Sequence, residues 1–277
     1  MGILLGLIAA LLYGGSDFGG GLLSRRLGFL PVTVVGSAAA VLLIWPVLLL
    51  APGPAPSVPA IAWGLGAGLG GGIGTLALYR GLARGQMSVV GPVSAVGAAV
   101  VPVIAGVALG ERPGALTTAG VVLALPAIAL VATSGTAARG MLRTGLMDGL
   151  VAGLAFGILF VGLAQAGRGV GLWPVAAEQT SALLVVLAVA VKSRAPLRMG
   201  VRAAGLPLLS GVAGMAATLA FFYATHYSML ATVAVIVSLY PGITVLLARV
   251  ILHERFSSAQ RAGLGLCTIA IIAIALN

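Results

Sequence analysis

The chain has 277 residues, of which 60% are hydrophobic and only 7% charged, against about 25% charged in a soluble domain. So few charges cannot cover a water-facing surface, which excludes a soluble fold. The formal net charge of +10 would point to nucleic acid in a soluble protein, but here Lys and Arg sit at the ends of apolar segments, the pattern of membrane topology.

A bilayer core of about 30 Å takes roughly 20 apolar residues per helix. The sequence predicts an all-α polytopic membrane protein with ten transmembrane helices, at 3–23, 31–51, 60–80, 88–109, 115–134, 145–165, 174–191, 204–225, 229–252 and 259–276. The short alternating strands of a β-barrel are absent from the pattern. The first span lacks the basic start and cleavage site of a signal peptide and reads as a retained helix. The third holds seven glycines between Gly64 and Gly74, which permits close helix contact. Pro92 and Pro102 in the fourth and Pro241 in the ninth each remove a backbone hydrogen bond, and read either as hinges or as static kinks. Trp63, Trp173 and Tyr227 suit the interfacial belt. Cys267, the single cysteine, lies in an apolar segment and reads as an inert thiol.

The chain also resembles itself. Gly6-Leu-Ile-Ala-Ala-Leu-Leu-Tyr-Gly14 matches Gly149-Leu-Val-Ala-Gly-Leu-Ala-Phe-Gly157, Gly28-Phe-Leu-Pro31 matches Gly171-Leu-Trp-Pro174, and Gly110-Glu111-Arg112 matches His253-Glu254-Arg255. All three share an offset of 143 residues, which divides the chain into five-helix repeats at 1–137 and 138–277. Five is odd, so the second repeat crosses the membrane in the opposite sense. Inverted repeats of this kind enclose midplane sites in secondary transporters.

The five-plus-five repeat, the small-residue first helix of each half, and the Pro-containing fourth helix running into Gly-Glu-Arg or His-Glu-Arg resemble the drug/metabolite transporter superfamily, the EamA-like transporters. The resemblance covers both halves. It implies a central cavity lined mainly by helices 1, 3, 4, 6, 8 and 9, and a cargo of small metabolites, amino acids or drugs.

Thirteen Lys and Arg residues flank odd-numbered connections, and only Arg112 and Arg168 flank even-numbered ones. The positive-inside rule then predicts both termini outside the cytoplasmic membrane. The cluster at 192–202 reads as a topology determinant.

The acids number five. Glu111 and Glu254, in short connections, read as helix caps or partners of Arg112 and Arg255. Asp148, placed in the first turn of the sixth span, reads as a structural N-terminal carboxylate. Asp17 lies deep in the first span, where a carboxylate is costly unless it faces protein or water. It reads either as a proton or cation site, or as a structural group that caps a Gly-weakened break or pairs with Arg25 or Arg80. Glu178, one turn past Pro174, reads either as an interfacial carboxylate or as a second acid at the cavity edge. At the offset of 143, Asp17 faces Phe160 and Glu178 faces Val35, so the halves differ chemically.

Tyr13, Tyr79 and Tyr223 supply aromatic faces suited to cationic or planar ligands, and Thr218 falls on a polar stripe of the eighth span with Ser210 and Gly214. The candidate site is therefore Asp17, Tyr13, Tyr79, Thr218, Tyr223 and Glu178. No phosphate-binding loop, metal-ligand spacing or nucleophile motif is present, so the chain reads as a non-enzyme without cofactor or metal. The expected activity is secondary active export of small organic metabolites, amino acids or cationic and aromatic compounds, with protons as the coupling ion. The alternatives are an uncoupled facilitator or uptake carrier, and an intramembrane scaffold or flippase. Expected partners are the solute, membrane lipids and protons, with the protein a monomer or homodimer.

Overall fold

The computed structural model describes residues 1–50, 53–55, 57–84, 87–108, 114–133, 139–194, 197, 199–228, 230–238, 240–252 and 258–275. Glu111, Arg112, His253, Glu254 and Arg255 lie outside them, as do the side chains of Pro241 and Cys267.

The described residues fold into helices: α1 (Gly2–Leu27), α2 (Phe29–Leu50), α3 (Val58–Ala83), α4 (Met87–Ala108), α5 (Ala115–Thr133), α6 (Arg139–Gln165), α7 (Trp173–Lys192), α8 (Val201–Tyr227), α9 (Leu230–Val237), α10 (Tyr240–Leu252) and α11 (Ser258–Ala275). In hydrocarbon every backbone polar group needs an internal partner, and helices supply one within the segment. Among the described residues seven helices are long and apolar enough to cross a membrane, drawn from α1, α2, α3, α4, α6, α7 and α8. The α1–α2 corner turns on Gly28, whose φ of 85° favours a residue without Cβ. The Ser57 side chain caps α3 by accepting from the Ala60 N–H at 3.3 Å.

Two expectations about proline resolve differently. The α4 helix runs through Pro92 and Pro102 without a break. The ninth expected span is divided, with α9 ending at Val237 and α10 starting at Tyr240. Pro241 stands in the first turn of α10. It has no N–H to give the Val237 carbonyl, and the first turn is where that loss costs least.

Packing follows the small residues. Gly64, Gly68 and Gly72 form one face of α3 against Pro174, Glu178 and Ala182 of α7. A Cβ at Gly68 would overlap the Glu178 carbonyl oxygen, and one at Gly72 would lie 2.8 Å from the Ala182 carbonyl. The register shows α3 and α7 to be parallel. Gly68→Leu is expected to cost more than the ~1–3 kcal/mol typical of overpacking, because the obstacle is backbone. Its check is the monodisperse fraction and thermal midpoint after detergent extraction.

Contacts exchange when the halves are exchanged. The α1–α8 packing corresponds to α6–α3, α2–α8 to α7–α3, and α1 against α9 and α10 to α6 against α4. The α5–α11 pair maps onto itself. Arg25 Nε donates to the Leu82 carbonyl at 3.1 Å, so α1 and α3 end together. Asp148 meets Arg80 while Gly162 meets Ala67, so α6 runs antiparallel to α3. Likewise Ser16 meets Ser210 and Tyr13 meets Thr218, so α8 runs antiparallel to α1. Arg25, Arg26, Arg80, Arg84 and Lys192 thus gather at one end of the bundle. At the other end Trp45 and Trp173 meet edge to face at 6.3 Å, and Trp63 is exposed.

Candidate functional site

A cavity of about 100 Å³ lies between the two halves, lined by α1, α2, α3, α6, α7, α8 and the first residue of α10. Helices 2 and 7 contribute to this wall, and no described residue of α4 does, which corrects the helix set implied by the family resemblance. The reason is steric. Gly97 of α4 packs back to back with Gly153 of α6, so α4 supports the wall from behind.

The lining pairs off at the offset of 143. Tyr13 and Phe156, Ser16 and Leu159, and Asp17 and Phe160 come from α1 and α6. Gly71 and Gly214, Gly72 and Met215, and Thr75 and Thr218 come from α3 and α8. The geometry is shared between the halves and the chemistry is not. The α1 wall is polar and acidic, whereas the α6 wall is aromatic and aliphatic.

The hydroxyls of the polar wall are committed to the scaffold. Thr218 donates its one proton to the Gly214 carbonyl at 3.1 Å. Its oxygen therefore accepts from the Tyr13 hydroxyl at 2.7 Å and from Gln179 Nε2 at 3.4 Å. Ser16 Oγ donates to the Ser210 carbonyl at 2.8 Å and Ser210 Oγ to the Ser16 carbonyl at 2.7 Å. The Tyr79 hydroxyl donates to the Ser16 carbonyl at 3.4 Å. Its ring lies over Gly20, where a Cβ would collide with it. The Tyr240 hydroxyl meets Ser94 Oγ at 2.9 Å, and its ring stands 6.1 Å from that of Tyr13.

The carboxylates are not committed. Asp17 is 8% exposed, and Glu178 2%. Among the described residues Asp17 has no hydrogen-bond or ion-pair partner. Helix α1 is continuous around it, so it caps no break. Arg80 Nε donates instead to Asp148 at 3.0 Å, and Arg25 reaches the Leu82 carbonyl. Glu178 Oε2 is sealed without a partner, and Oε1 sits over Gly71, 2.9 Å from where a Cβ would be.

The structure therefore brings Tyr13, Asp17, Tyr79, Glu178 and Thr218 to one cavity. Tyr223 stands apart, 44% exposed against Phe222 and His226. It lies five residues past Thr218, about 140° round the helix from the cavity face. Asp148 is also reassigned. Helix α6 begins at Arg139, so Asp148 lies in its third turn, buried and ion-paired to Arg80 and Arg84. Sequence reasoning missed Ser16, Thr75 and Gln179 as lining residues. Thr75 was legible as the repeat mate of Thr218, and Ser16 as the neighbour of Asp17.

A cavity with two acids between two similar halves of an apolar helical bundle defines a polytopic membrane protein that handles small solutes. The chain belongs to the EamA-like transporter family, whose model matches residues 1–133 and again 143–276. Members of that family are transporters rather than enzymes. Among curated proteins no sequence matches. A solved structure described only as "Crystal structure of protein" is similar, with a TM-score of 0.70 and 15% identity, covering 99% of this chain and 96% of the other. At that identity the likeness shows the fold alone.

Proposed function

We propose that the protein is a secondary active transporter that exports small organic metabolites across the cytoplasmic membrane by alternating access, with protons as the coupling ion. The observation that carries this reading is Asp17, a buried carboxylate without a partner among the described residues, in a cavity built by both halves. A group so placed binds a proton or the cationic part of a substrate, one displacing the other. The repeats are 1–137 and 138–277, inverted with respect to each other. Support comes from α6 and α8 running opposite to their counterparts α1 and α3. The chain crosses the membrane ten times, with α9 and α10 as two halves of the ninth crossing. A broken helix at a midplane cavity is a recurring transporter device. The arginine-rich end faces the cytoplasm and the termini face outside. The solute, lipids and protons are the partners, and the protein works as a monomer or homodimer.

The test is counterflow in proteoliposomes with amines and amino acids, with and without an imposed pH gradient. Solute exchange accelerated by an inward proton gradient is expected. Exchange indifferent to pH would make the protein a facilitator, and no exchange of any solute would sink the transport reading.

A further inference from the structure

We infer that the cavity is a two-charge site for a short linear diamine, with Asp17 receiving one ammonium group and Glu178 the other. The inference rests on the transport reading and names its substrate class.

Both acids line the same cavity, and among the described residues no Lys, Arg or His lines it with them. They come from different halves, on α1 and α7. Tyr13 is within electrostatic reach of both. Among the described residues Asp17 has no hydrogen-bond partner, and Glu178 Oε2 is sealed without one. Thr218, Ser16 and Ser210 cannot serve instead, since they already donate to backbone carbonyls.

A buried carboxylate without a counter-charge is costly. A monocation would neutralise one acid and leave the other. Two ammonium groups neutralise both. The remaining wall suits the stem between them. Phe160, Leu159 and Met215 are apolar, and the Tyr13 and Tyr240 rings add faces that attract cations. Size selects the stem. Drug-sized ligands occupy pockets of about 300–1,000 Å³, whereas this cavity is about 100 Å³. A short unbranched chain fits this space.

The exchange balances in charge. Each carboxyl group loses its proton when an ammonium group binds, so one diamine displaces two protons and no net charge moves.

Putrescine and butylamine, matched in carbon number, are the probes. In the wild-type protein two protons are expected to leave per putrescine bound, and vesicle uptake of putrescine is expected to be indifferent to membrane potential. Glu178→Gln is expected to lower the putrescine-to-butylamine ratio of kcat/KM by about tenfold or more, with proton release falling to one. Equal handling of both amines, or a single proton per putrescine in the wild type, would overturn the two-charge site. Amine counterflow would persist in that case, leaving the transport reading intact. The wild-type stoichiometry decides the matter even where the variant fails to fold.

Discussion

Asp17→Asn is expected to abolish proton-coupled transport without unfolding the protein. Asparagine keeps the shape and removes the charge. If the carboxylate meets a cationic substrate in this buried setting, losing it removes interaction worth about 3–5 kcal/mol, the figure for breaking a buried charge pair. That converts to a fall in kcat/KM of about 100-fold or more. Stability should move the other way. Asp17 has no partner among the described residues to lose, so the variant sheds the cost of a carboxylate held away from water. The thermal midpoint of the solubilised protein is expected to hold or rise. Apparent affinity in the wild type is expected to weaken as pH falls, because protons compete for the same oxygens, and this dependence should flatten in the variant. An acid with a structural task would give the mirror image, with a lowered midpoint and transport retained.

Much of this site was legible because hydrocarbon tolerates so little. In a chain 7% charged, a lone Asp deep in an apolar run marks itself. The common offset of 143 then predicts which positions face each other, and the six lining pairs of α1, α3, α6 and α8 obey it. Helical phase was the weak link. Tyr223 has the right chemistry on the right helix, but sits about 140° from the cavity face. Asp148 was misplaced because hydropathy marks where an apolar stretch begins, not where a helix does. The polar run from Arg139 to Thr144 is helical as well, which moves Asp148 from a first turn to a third. Glu178 could not be placed from sequence, since its depth depends on α7 lying directly on the glycine face of α3.

Asp148→Asn is expected to destabilise one end of the protein, and the equivalent change at the other end to matter far less. Asp148 is 98% buried at its side chain and holds two partly exposed guanidinium groups, Arg80 by Nε at 3.0 Å and Arg84 by Nη1 at 3.1 Å. Those arginines close the end of α3 onto α6. Removing the carboxylate leaves two like charges side by side with nothing between them. Breaking a fully buried pair costs about 3–5 kcal/mol. Because both arginines reach solvent, a smaller loss of about 1–3 kcal/mol is expected, read as a lowered thermal midpoint. The repeat mates of Asp148, Arg80 and Arg84 are Leu5, Tyr223 and Tyr227. Among the described residues no ion pair holds the corresponding end, and Tyr223 and Tyr227 are 44% and 63% exposed. Tyr227→Ala is expected to change stability by less than about 0.5 kcal/mol, as befits an exposed side chain, and so to leave the midpoint nearly unmoved. Under alternating access the two ends must open in turn, and the Arg80–Asp148–Arg84 cluster favours closure at the arginine-rich end. Asp148→Asn should therefore also raise the accessibility of the cavity from that end, measured by labelling a cysteine introduced at Thr33 on the cavity wall. Labelling unchanged alongside a lowered midpoint would make the Arg80–Asp148–Arg84 cluster a brace rather than a latch.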